Sequence, residues 1–134
     1  MIQIQNTDAM TRDAYKIARI VFAQTNATSL AGVEALTSMI QNIARKTGRK
    51  YTAIAADATI FDAYDDASPR HANLNTDASS RGFQMCVRVA MRMLNGTLSD
   101  MCNGATRYHH CDHMPSWAIS RGYIADIDEM LFYL

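Results

Sequence analysis

Between Asn103 and Ala118 the chain reads Asn-Gly-Ala-Thr-Arg-Tyr-His-His-Cys-Asp-His-Met-Pro-Ser-Trp-Ala. Three of the four histidines, the only tryptophan and Cys111 lie in this stretch, and Cys102 directly precedes it. Four kinds of chemistry are open to such residues. Tyr108 and Trp117 could stack on the flat faces of a ligand while His109 or His110 hydrogen-bonds its polar groups. The same rings could instead plug a core, with the histidines satisfying backbone carbonyls. His109, His110, Cys111, Asp112 and His113 are all metal-ligand types. The cluster lacks a second half at helical or knuckle spacing, however, and no His-Glu-x-x-His occurs, so neither metal nor cofactor is expected. A Cys111 nucleophile activated by histidine would need a geometry that adjacency in sequence does not supply.

The elements that must position these residues are mostly helical. Apolar residues at Met10, Ala14, Ile17, Ala18, Val21 and Phe22 fall at spacings of three and four. They predict a helix capped at Asn6 or Thr7 and ending near Gln24, before Thr25-Asn26-Ala27-Thr28. Ser29 is placed to cap a second helix with Leu30, Val33, Leu36, Ile40 and Ile43 on its buried face, and Gly48 is its stop. The stretch from Tyr51 to Asn75 is rich in turn formers, including Asp62, Asp65, Asp66 and Ser68-Pro69, with Phe61 and Tyr64 as anchors. Asp77-Ala-Ser-Ser opens a third helix with Phe83, Cys86, Val87, Ala90, Met93 and Leu94 as its stripe, closed by Asn95-Gly96. The tail Met130-Leu-Phe-Tyr-Leu is too apolar to be left in water and should dock on the core.

Composition bounds the class. At 134 residues, 49% hydrophobic and 19% charged, residues 1–134 form a single domain able to bury roughly two-thirds of its unfolded surface. Formal net charge is zero, which gives no electrostatic footprint for nucleic acid. No apolar run reaches membrane-spanning length, and the first residues carry no secretory signal pattern. Six glycines and two prolines against nine methionines favour a mainly α fold with long loops and at most a small β element. Cys86 falls on a helical stripe and reads as an inert core thiol. Cys102 and Cys111 could close a disulfide loop if the protein works outside the cytoplasm.

In order along the chain, these segments resemble the cell wall hydrolase family of the spore cortex-lytic enzyme type, lysozyme-like relatives of the lytic transglycosylases. The family's first signature is an aromatic, a small residue, a glutamate, a short loop, and a helix opening roughly Ser-Leu-x-Gly-x-Glu-Ala-Val. Phe22-Ala23-Gln24 and Ser29-Leu30-Ala31-Gly32-Val33-Glu34-Ala35-Leu36 align with it without a gap. Asn42 falls where the family has an asparagine. Phe61-Asp62-Ala63-Tyr64 resembles its Phe-Ser-x-Trp, and Gly104-Ala105-Thr106-Arg107-Tyr108-His109 its Gly-Ala-Thr-x-Tyr-His. Pro115-x-Trp117 and Phe132-Tyr133 follow in place.

The resemblance implies a lysozyme-like helical domain that holds a peptidoglycan glycan strand, at the cell envelope or, failing export, in the cytoplasm. Site residues implied are Gln24 at the acid position, with Tyr108, His109, His110, Trp117, Tyr64, Phe61 and Asn42 toward the strand. The departures bear directly on activity. Gln24 stands where the family has its acid/base glutamate, Asn26 and Thr28 replace an arginine and a second acid, and the tail reads Asp128-Glu129-Met130-Leu131. Glycoside cleavage needs a proton delivered by a carboxylic acid of raised pKa, a contribution of roughly 10²–10⁴-fold, and an amide cannot give one. The only glutamates are Glu34 and Glu129; Glu34 reads as a helix-dipole residue, and Asp57, Asp62, Asp65 and Asp66 as turn formers. Gln24 is then either an introduced exchange or the mark of a non-catalytic relative that binds glycan or inhibits a protein partner.

Overall fold

A computed structural model describes residues 2–134, with side chains from Ala9 onward. Helix α1 (Ile2–Thr25) runs through the middle of the molecule, packed on by α4 (Arg81–Leu94), α2 (Leu30–Thr47) and the short α3 (Tyr51–Ala55). Its start precedes the expected one. The Asn6 and Thr7 side chains proposed to cap it lie outside the described residues. Ala14, Ile17, Ala18, Ile20, Val21 and Ala23 are wholly buried, so the helix is apolar nearly all round where it crosses the core.

The ends of α2 and α4 follow from their caps. Ser29 Oγ accepts the Gly32 N–H at 3.0 Å, and Gly48, at φ 75°, returns its N–H to the Ala44 carbonyl. Ser80 Oγ accepts the Phe83 N–H in the same way. The expected α4 stripe is buried from Phe83 to Met93, with Leu94 half-buried. Leu30 departs from expectation and is exposed, because it lies with Ala31 on the outer side of the first turn of α2, whose inner side is taken by Gly32 and Val33.

The chain after Leu94 supplies a three-stranded antiparallel sheet, β1 (Arg107–His110), β2 (Ala125–Ile127) and β3 (Met130–Tyr133), with the tail strand β3 in the centre. Tyr108 pairs with Phe132 and His110 with Met130. The two-residue period of a strand then sorts the rings. Tyr108, Met130 and Phe132 are buried against the helices, while His109 and Tyr133 face the other way and are covered by Trp117 in the 3-10 turn Ser116–Ala118. The fold is mainly α with this small sheet, as the composition implied. No helix among the described residues is long and apolar enough to cross a membrane.

The β2–β3 turn, Asp128-Glu129, has both residues at positive φ, 56° and 63°. This is the primed hairpin turn that glycine and asparagine favour. Asp128 is held there by the start of α2, where its Oδ2 accepts from Ser29 Oγ at 2.8 Å. A side chain at position 32 would drive a Cβ to 2.5 Å from that oxygen. Gly32 is therefore what lets the hairpin sit on the helix.

Candidate functional site

Gln24 lies at the last turn of α1 and is 3% exposed. The last carbonyls of a helix have no partner within it, and here each finds one. Val21 accepts from Thr25 Oγ1, Phe22 from the Asn26 N–H, Ala23 from Asn73 Nδ2 and Gln24 from His110 Nε2 at 2.7 Å. The helix end is thus clamped by side chains from the 3-10 turn His71–Asn75 and from β1.

The Gln24 side chain is engaged at both ends. Nε2 donates to Asp62 Oδ1 at 2.7 Å and to the Tyr108 hydroxyl at 2.5 Å, and Oε1 accepts the Ala63 N–H at 2.8 Å. Ala63 is fixed from its other side, its carbonyl accepting from His71 Nδ1 at 2.8 Å. Asp62 Oδ2 accepts from Ser68 Oγ at 2.6 Å and lies 3.4 Å from Arg70 Nε. Arg70, only 13% exposed at its side chain, forks onto both oxygens of Asp112. Its Nε also donates to His110 Nδ1 at 3.2 Å. One ring nitrogen of His110 therefore accepts and the other donates, which fixes a neutral imidazole with the proton on Nε2.

The electrostatics follow from these partners. Burial raises the Asp62 carboxyl pKa, but hydrogen bonds from Ser68 and Gln24 and the Arg70 charge outweigh it and hold it below the usual carboxylate range. Burial, and then the Arg70 charge, hold His110 below its usual value. Burial and the Asp62 charge push the Tyr108 hydroxyl well above 10. At neutral pH Asp62 is therefore ionised, while the Tyr108 hydroxyl and the His110 ring beside it are neutral.

Ala23, Gln24, Asn26, Thr28, Arg70, Asn73, His110, Asp128 and Glu129 line a cavity of about 340 Å³ over this network. Its rim is strained on two sides. Asn26 and Ala27 sit at φ 53° and 49°, and Asp128 and Glu129 face them from the hairpin; together they are four of the five non-glycine residues at positive φ among the described residues. Such strain persists only where surrounding contacts over-determine it.

The other expected site residues divide. Tyr108 and His110 join Gln24, but through hydrogen bonds, not as open stacking platforms. The Tyr108 ring is buried between Phe61 and Phe132, at centroid distances of 6.1 and 5.8 Å. Phe61 is wholly buried, so neither ring offers a face to a ligand. His109 is buried with Nε2 at 2.8 Å from the Tyr133 hydroxyl, and Trp117 packs edge-on against both. Tyr64 gives its hydroxyl to the Ala55 carbonyl and faces a different depression, beside Tyr15 and Arg19. Asn42 is a structural amide, donating to the Ala105 carbonyl at 3.1 Å. Cys102 is buried and Cys111 exposed, both free, so they do not pair. Burial raises the Cys86 thiol to about 12, as suits a core residue. Among the described residues no cluster of metal-ligand side chains forms.

Ser68, Arg70, His71 and Asn73 went unrecognised in the sequence. Arg70 left one signal: it is the only lysine or arginine between Tyr51 and Ser80, a stretch with five aspartates. Comparisons of the chain with family models, curated proteins and solved structures gave no match.

Proposed function

We propose that this chain is a lysozyme-like domain of the cell wall hydrolase kind that holds a peptidoglycan glycan strand across the cavity beside Gln24 and scarcely cleaves it. The observation that carries this reading is a convergence. The three segments that resemble the family's separate signatures, around Gln24, Asp62 and Tyr108, meet through one side chain, although Gln24 lies 38 and 84 residues from its two side-chain partners. A chance likeness of short motifs gives no reason for such a meeting.

The chemistry assigned is binding. The position that would deliver a proton holds an amide, and the neighbouring Asp62 stays ionised through the neutral range, so it cannot act as a general acid there. Position 62 is a serine in the family pattern and an aspartate here. The carboxylate has in effect moved from 24 to 62, across a single hydrogen bond. With Asp62 already ionised, a glutamate at 24 would set two carboxylates against each other, so the surroundings suit the amide. This favours a natural Gln24 over an introduced one.

The test is co-sedimentation with purified sacculi, run beside a turbidity assay. The chain should pellet with sacculi and leave their turbidity unchanged, and Arg70→Ala together with His110→Ala should weaken pelleting. Failure to pellet would sink the glycan reading. A protein partner would then be the better assignment, with the exposed Met114, Ile119 and Tyr123 as the surface to probe.

A further inference from the structure

Arg107 opens β1 as His110 closes it, and beside it lies a second concavity. Two depressions of about 380 and 180 Å³ meet there, sharing Ile60, Thr106 and Arg107. Lys46 and Arg121 stand on one side of Arg107, and Thr59 and Trp117 on the other. Among the described residues no Asp or Glu side chain lines either depression, and the terminal carboxylate of Leu134, which lines the larger one, is in no ion pair. The chain carries no net charge to spill over, and Arg49, Arg70 and Arg92 each have an acidic partner. Among the described residues Lys46, Arg107 and Arg121 have none, as is also true of Lys16, Arg19, Arg45, Lys50, Arg81 and Arg88, so it is their gathering in one groove that sets them apart. Asp57, next to Thr59, is committed to Thr59 and Arg49.

The two arginines are held in place all the same, both by Trp117. The Arg107 guanidinium lies 4.5 Å from the centre of the indole, a cation–π contact. Arg121 Nε donates to the Trp117 carbonyl at 3.1 Å, which leaves its outer N–H groups free. Trp117 is itself braced by Tyr133 and His109. Lys46 is favoured at the end of α2 by the helix dipole in any case, so the guanidinium pair carries the argument. Like charges gathered without an acid repel one another, and an oxyanion turns that cost into binding. A guanidinium fork matches a carboxylate or phosphate. Thr59 and Thr106 add polar groups, and Ile43 and Ile60 an apolar wall.

We propose that this groove binds an oxyanion, a phosphate or carboxylate carried on a sugar-sized or longer ligand, with Arg107 and Arg121 as its forks and Lys46 as a supporting charge. The site is separate from the Gln24 cavity, and it stands or falls without the glycan-strand reading. The experiment is an NMR titration of the ¹⁵N-labelled chain with glucose 6-phosphate, glucuronate and glucose. The probes are the Nε–Hε signals of Arg107 and Arg121 and the indole N–H of Trp117. Saturable shifts with an anionic sugar and none with glucose are expected, and the tighter of the two identifies phosphate or carboxylate. Loss of a charge-assisted fork predicts affinity lower by roughly tenfold or more in Arg107→Ala/Arg121→Ala. The Arg107→Lys/Arg121→Lys pair, which keeps charge and side-chain bulk, should lose an intermediate amount. No saturable shift with either anion, an equal response to glucose, or unchanged affinity in both pairs overturns the proposal.

Discussion

The Gln24 cavity and the Arg107–Arg121 groove lie at opposite ends of one four-residue strand, yet they treat charge in opposite ways. Around Gln24 the charges of the hydrogen-bonded network are paired with one another. Asp62 receives Gln24 and Ser68 and lies beside Arg70, and Arg70 forks onto Asp112. In the groove, two arginines are gathered by an indole with no Asp or Glu among them. A self-neutralised buried network holds structure, and its removal should be felt in stability. An unneutralised surface cluster contributes little to folding and is kept in readiness for a ligand. The two regions should therefore answer mutation in different ways, the Gln24 network in stability as well as in binding and the groove in binding alone.

The largest expected effect tests the proposed shift of the carboxylate from position 24 to 62. Gln24→Glu alone sets two carboxylates in contact, so it should lower stability near neutral pH and give little activity. Adding Asp62→Ser removes the repulsion and leaves the new carboxyl at position 24 buried beside the Tyr108 hydroxyl and the Ala63 N–H. If the cavity retains the rest of a cleavage site, sacculus turbidity should fall faster in the double variant by roughly 10²–10⁴ over the unaltered chain. Equal rates would count against a cleavage site in this cavity.

Next comes removal of the amide. Gln24→Ala leaves the Asp62 carboxylate, the Ala63 N–H and the Tyr108 hydroxyl each short of a partner. An unsatisfied buried polar group costs about 1–3 kcal/mol, so denaturant unfolding should show a loss of about 3 kcal/mol or more. Arg121→Ala is the control from the other region, an exposed side chain with no ion pair, and should stay within about 0.5 kcal/mol. Similar losses for both would break the distinction between the two regions.

The difference in legibility has the same root. Ser29 and Gly48 could be placed as caps, and Asp77-Ala-Ser-Ser as the opening of a helix, because capping is settled within four residues. The three long helices were accordingly readable. The sheet was not, since β3 takes its central place by pairing with Arg107–His110, twenty or more residues earlier. Gln24 was found through its motif, but Asp62 passed for a turn former because its partners are distant in sequence. It is both, closing the turn at Asp65 and anchoring α1. The aromatic residues misled for a plain reason. Tyr108 and Trp117 look alike in sequence as ligand platforms, and only the alternation of β1 decides that one enters the core and the other covers the outer face.

The network also sets a pH signature that the groove lacks. His110 is held below its unfolded value of about 6.5 by burial and then by Arg70. The unfolded chain therefore takes up a proton first, and stability falls as pH drops from about 6.5 toward the folded value. Asp62 acts in the same direction lower down. Its carboxyl is held below the ordinary range, so its contribution is present above about pH 3.9 and lost as pH falls through the folded value. His110→Gln keeps a donor for the Gln24 carbonyl and should flatten the slope of stability between pH 7 and 5, leaving the acid limb in place. An unchanged slope would remove His110 from the account.

The smallest effect lies at the rim, where strain can be separated from charge. Glu129 holds φ 63° in the primed turn, a conformation that costs an L-residue roughly 1–2 kcal/mol relative to glycine. Glu129→Gly should relieve most of that, offset in part by the greater freedom glycine gives the unfolded chain. The net expectation is a gain of about 0.5–1 kcal/mol, read as a raised denaturation midpoint with an unchanged slope. The same change removes a side chain from the cavity wall. If the strained rim serves binding, the variant should be more stable and yet pellet less with sacculi. Greater stability with undiminished pelleting would reduce the Asp128–Glu129 turn to a clasp on α2.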